Sequence, residues 1–71
     1  MTQQLHVGDR VSWNTSQGRT RGTIEERRTA DFQFAGQQFR ASVYEPAFIV
    51  KSEKTEALAA HKSAGLRRLT T

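Results

Sequence analysis

The chain has 71 residues and no cysteine, with eleven Lys and Arg against seven Asp and Glu, a formal charge of +4. That length limits it to one small domain, and the missing cysteines exclude disulfides and thiolate metal sites. No apolar run approaches the ~20 residues of a membrane-spanning helix, and Met1-Thr2-Gln3-Gln4 lacks the basic start and apolar stretch of a secretion signal.

These absences lead to the expectation of a cytoplasmic protein. Hydrophobic residues make up only 35% of the chain, so the core must be thin. The basic excess suits nucleic acid or an acidic protein, and equally suits plain solubility.

Residues 1–6 read as a flexible start, and 7–69 as a single domain. Gly8-Asp9 is a turn pair: glycine accepts dihedrals that other residues avoid, and aspartate bonds its own backbone. Arg10-Val11-Ser12-Trp13 alternates polar and apolar, the period of a half-buried strand. Asn14-Thr15-Ser16-Gln17-Gly18 is a run of turn formers. A second strand over about 19–27 places Thr20, Gly22 and Ile24 on one face and Arg19, Arg21, Thr23 and Glu25 on the other. Gly22 either makes room for the Trp13 ring or is an ordinary surface glycine.

Phe32-Gln33-Phe34 alternates again, and Gln37-Gln38-Phe39-Arg40-Ala41-Ser42-Val43 does so after Gly36. The preferred reading is a hairpin turning at Ala35-Gly36. Pro46 then opens Ala47-Phe48-Ile49-Val50-Lys51, the most apolar segment and the expected central strand. Phe48 and Val50 should point inward, which leaves Ile49 unexplained on the wet face. The expected core is Val11, Trp13, Ile24, Phe39, Phe48 and Val50.

Signals conflict over 56–62. The composition favours a helix that Thr55 would cap, yet so short a helix is marginal without packing. As a strand it would pair with the central one across Glu53-Lys54-Thr55. Ser63-Ala64-Gly65 suits a turn or one 3₁₀ turn. In Leu66-Arg67-Arg68-Leu69 the leucine spacing suits a tight helical turn.

No constellation for catalysis emerges. His6 and His61 would need carboxylates to hold a metal, and no motif brings them together. Glu25 and Glu26 are strand neighbours, so they point to opposite faces and cannot share acid and base roles. No serine sits in a nucleophile motif. The expectation is a non-enzymatic protein without cofactor, metal or membrane association.

The basic residues offer more. Arg19, Arg21 and Arg27 share outward parity, Arg40 and Lys51 are outward too, and Tyr44 matches Arg40. Arginines with an exposed aromatic among them bind phosphates and stack bases, which makes these six the candidate nucleic-acid-binding set.

Several segments together resemble a known family. They are Gly8-Asp9-Arg10-Val11-Ser12-Trp13, then Gly22-Thr23-Ile24, then Pro46 before Phe48-Ile49-Val50, then Lys51-Ser52-Glu53-Lys54-Thr55, and Ala59-Ala60-His61-Lys62 ahead of Leu66-Arg67. The chain is similar, over roughly 7–69, to the small bacterial hypervirulence-associated Tudor domain family. The insertion-like stretch 29–36, with two phenylalanines, departs from that pattern. The resemblance implies an all-β fold: a five-stranded SH3-like, Tudor-type barrel with at most one short helical turn near the C-terminus. It also implies that 56–62 is a strand, and it implies no enzymatic activity.

A Tudor-type fold suggests an aromatic cage for methylated lysine or arginine, for which Trp13, Tyr44 and Phe32 or Phe34 are the only candidates. The opposing reading keeps Trp13 and the phenylalanines in the core. The functional expectation is a small adaptor docking a protein partner; the alternative is nucleic-acid binding through the arginine-rich face.

Overall fold

Backbone pairing begins at the turn before the first strand. The computed structural model describes residues 5–16 and 18–69. Gly8 takes a φ of +95°, in the left-handed region that favours glycine. Asp9 donates its N–H to the His6 carbonyl at 3.0 Å, and its carboxylate accepts the His6 N–H at 2.9 Å. Gly8 N–H reaches the Ile24 carbonyl at 2.8 Å, and Ile24 N–H the Asp9 carbonyl at 2.9 Å. Strand β1 (Arg10–Thr15) therefore starts already in register with β2 (Gly18–Arg28).

The main sheet also contains β5 (Ala47–Ser52), β6 (Leu58–Lys62) and β7 (Arg67–Arg68), in the order β6-β5-β2-β1-β7. All its pairings are antiparallel. The fold is all-β, and the one helical segment among the described residues is the 3₁₀ turn Ser63–Gly65 joining the edge strands β6 and β7. The five-stranded sheet is not closed. One of its five strands, β7, was not expected. Arg67–Arg68 pairs with Ser12 and Val11, whereas its leucine spacing suggested a helical turn. Two ladder partners on β1 outweigh a pattern only four residues long.

Leu5, Val11, Trp13, Ile24, Phe48, Val50 and Leu66 form one buried cluster, with Ala59 packed against it. Leu5 is only 5% exposed, so the ordered core reaches into the segment read as a flexible start; residues 1–4 lie outside the described residues. Gly22 decides the packing of the tryptophan. A Cβ there would collide with the Lys51 carbonyl and stand 2.7 Å from Cη2 of Trp13. The absence of a side chain is what admits the ring. Ala47 and Ile49 are buried outside the main cluster. Arg28, the cross-strand partner of Ala47, lies over the Phe32 ring at 5.5 Å, which brings the second sheet to that end of the strand.

That second sheet is the hairpin of β3 (Phe32–Phe34) and β4 (Gln37–Phe39). Ala35 and Gly36 turn it with φ of 53° and 78°, both positive, as a tight two-residue hairpin requires. Phe39 is half-buried against its own hairpin and absent from the main core, which corrects its assignment to that core. The strand expected to run on through Val43 ends at Phe39. Asp31 takes the Ala41 N–H at 3.0 Å, Ser42 donates its N–H to the Glu45 carbonyl at 3.1 Å, and Ser42 Oγ accepts the Glu45 N–H at 3.0 Å, so the chain turns instead of extending.

Between β5 and β6, Ser52 Oγ accepts the N–H groups of Lys54 and Thr55, and Glu56 adopts a φ of 61°. A left-handed residue at the start of 56–62 breaks the helix that composition favours. Leu58–Lys62 pairs residue for residue with β5 instead, turning Ala59 and His61 toward the core side.

Candidate binding surfaces

The expected arginine stripe rests on strict alternation along β2, and a bulge interrupts it. Pairing with β5 runs Thr23 with Lys51 and Ile24 with Val50, then resumes with Glu26 opposite Ile49. Glu25 is the extra residue, and a one-residue insertion moves everything beyond it to the other face. Arg27 therefore stands opposite the buried Phe48, off the face of Arg19 and Arg21. Lys51 keeps the outer face but pairs with Glu56 at 3.9 Å. Arg40 and Tyr44 belong to loop 40–46, beside the far end of β2. Of the six expected residues, the fold brings Arg19 and Arg21 together and disperses the rest.

Around those two a tighter group forms. Ser12 stands opposite Arg21 on one side and Arg67 on the other. Directly opposed residues of antiparallel strands share a face. Arg19, opposite Asn14, reaches back to Ser12 and donates from Nε at 3.1 Å and Nη2 at 3.0 Å to its hydroxyl. Ser12 is 1% exposed. Where the chain approaches β1 before Arg67, it leaves an open groove of about 220 Å³ lined by Ser12, Trp13, Asn14, Arg19, 64–66 and Arg67. Sequence reasoning missed Arg67 because its segment read as helical. Ser12 was legible, since the same alternation that faces Arg19 outward faces Ser12 outward.

A second surface lies on loop 40–46. Tyr44 is 95% and Val43 69% exposed, yet the loop beneath them is braced. Lys62 Nζ stands 3.5 Å from the Glu45 carbonyl and 3.8 Å from its carboxylate. With the Asp31 and Ser42 bonds, the tip is held at both ends.

The aromatic residues do not form a cage. Trp13 is buried, with its ring 5.7 Å from that of His61. Phe32 stacks on Phe39 at 5.5 Å, and Phe34 meets Phe39 edge-on at 6.4 Å. His61 lies within β6 against Trp13, and desolvation by burial holds its pKa below the ordinary 6.5. His6 pairs with Asp9 at 3.6 Å. Among the described residues, no three His, Asp or Glu side chains gather to hold a metal, and no helix is long and apolar enough to cross a membrane.

A five-stranded antiparallel sheet over one thin core, with a 3₁₀ turn before its last strand, defines a small Tudor-type domain, generally a binding module. The chain belongs to the hypervirulence associated proteins TUDOR domain family, whose model matches residues 8–66. No curated protein and no solved structure matches the chain significantly.

Proposed function

We propose that this domain is a non-enzymatic adaptor that docks a protein partner through the tip of loop 40–46. One observation carries this reading. Two adjacent apolar side chains, Val43 and Tyr44, stand in solvent on a loop fixed by hydrogen bonds at both ends. Apolar surface displayed on a braced loop loses little entropy on binding. Tyrosine is also favoured at interface centres, since it buries a large ring and keeps one polar handle. The family supports the coarser part of the reading, a small binding module.

The test is site-specific photo-crosslinking in the native cell. A photoreactive side chain at position 44 should give a discrete protein adduct. The same group at Gln38, exposed on the neighbouring hairpin, should not. Val43→Ser in the same chain should reduce the adduct while leaving the melting temperature unchanged. Adducts at position 38 and none at 44 would overturn the reading.

A further inference from the structure

We propose that the outer face over Ser12 binds the phosphate group of a small phosphorylated molecule, whose organic part lies in the adjoining groove. The argument starts from charge. Arg10, Arg28, Lys51, Lys62 and Arg68 each pair with a carboxylate. Arg19, Arg21 and Arg67, like Arg27, Arg40 and Lys54, form no ion pair among the described residues. The first three are gathered at one place. Arg21 and Arg67 flank Ser12 across two strand spacings, about 10 Å, and Arg19 is drawn between them onto the serine hydroxyl. Three positive groups so close repel one another unless an anion joins them. The nearest carboxylate in the same row of the sheet, on Glu53, is taken by Arg10 at 2.8 Å.

Geometry narrows the ligand. Two bonds to a buried hydroxyl hold the Arg19 guanidinium in one orientation, and its remaining N–H groups form a fixed fork. Such a fork matches the oxygens of a phosphate. The three residues are grouped around one buried serine, which suits a compact phosphate better than the extended backbone of a nucleic acid. No exposed aromatic stands beside them for a base to stack on, since Trp13 is buried and Tyr44 lies at the other end of β2, about 20 Å along the strand. The groove supplies what free phosphate does not need: space of about 220 Å³, bounded by the Asn14 amide and by Ala64, Gly65 and Leu66. This site shares no residue with loop 40–46 and stands whether or not that loop docks a partner.

The experiment is an NMR titration of the whole chain at constant ionic strength, with sodium chloride, inorganic phosphate, a nucleoside monophosphate and a 20-nucleotide oligomer as separate probes. Saturable shifts at Ser12, Asn14, Arg19, Arg21 and 64–67 are expected with the monophosphate, weaker ones with inorganic phosphate, and none with chloride. Arg19→Gln and Arg67→Gln should each weaken the monophosphate about tenfold, the loss of a charge-assisted contact. Arg40→Gln should not. If inorganic phosphate binds as tightly as the monophosphate, the groove has no role and the small-molecule reading fails. Oligomer shifts that spread to Lys51, Lys54 and Arg40, with the monophosphate inert, would replace the proposal with nucleic-acid binding. No saturable shift from either phosphate probe would remove the site.

Discussion

Two aromatic groups in this chain are organised by opposite means. In the main sheet, Trp13 and Phe48 sit among residues distant in sequence: Leu5, Ile24, Val50, Leu66 and the ring of His61. In the hairpin, Phe32, Phe34 and Phe39 meet one another across a two-residue turn and stay half-buried. The first group is one cooperative core that every strand of the main sheet must assemble. The second is a local cluster that needs only its own turn. Stability is therefore concentrated in the sheet, and the hairpin with its loop is free to carry an exposed tip.

Truncating one phenylalanine in each group measures the difference. Phe48→Ala should cost about 3–5 kcal/mol, the usual range for a fully buried phenylalanine. For a domain of this size that is most of the available stability, so thermal denaturation should show a largely unfolded chain. Phe39→Ala removes two ring contacts on a half-exposed hairpin, and such pairs are worth about 0.5–1.5 kcal/mol beyond their area. It should lower the melting temperature by a few degrees. Amide exchange should accelerate in 32–39 while β2 and β5 remain protected. Equal losses from the two variants would mean that the hairpin belongs to the same cooperative unit as the sheet.

Gly22→Ala probes the sheet alone. Its added methyl meets backbone, the Lys51 carbonyl, on one side and the Trp13 ring on the other. Backbone cannot swing away, so the β2–β5 ladder or the indole must shift. Overpacking of this kind costs about 1–3 kcal/mol. The tryptophan emission should move to longer wavelength as the ring is displaced, and an unchanged spectrum would show that the ring does not depend on that space.

The same contrast explains what the sequence made legible. Alternation in 10–13 and 20–24, the turn at Gly8-Asp9 and the Ala35-Gly36 hairpin follow from local rules, and the structure shows each of them. Phe48 and Val50 were readable because one lysine marks the wet face. Three features were not local. The bulge at Glu25 exists because β2 must pair with β1 at one end and β5 at the other, and nothing in Ile24-Glu25-Glu26 announces it. Leu66-Arg67-Arg68-Leu69 has no alternation, and only its partners on β1 make it a strand. Ile49 is buried because the chain supplies cover on both sides of β5, which a reading of one strand cannot know. The arginine group was half visible for the same reason. Arg19, Arg21 and Ser12 share a parity along two neighbouring strands, whereas Arg67 arrives from the far end of the chain.

The smallest effect concerns the one titrating group in the core wall. His61 packs against Trp13, and burial favours its neutral form, so its folded pKa lies below 6.5. The unfolded chain, with a pKa near 6.5, binds the proton more readily. Below that pH the unfolded state holds more protons than the folded one, and stability falls as pH falls. Above it both states carry a neutral ring, and this contribution is flat. The loss should begin as pH drops through about 6.5 and end once the folded ring is also protonated. Two other charged or ionisable groups stand near: His6 lies beside Asp9 before β1, and Lys62 follows His61 along β6 and pairs with Glu45. His61→Gln removes the titration and keeps a polar side chain of similar reach. Melting temperatures of the two proteins between pH 7.5 and 5 should then diverge, with the parent falling and the variant nearly level. Parallel curves would show that the pH dependence does not come from His61 and that the wall between Trp13 and β6 admits the charged ring at no cost.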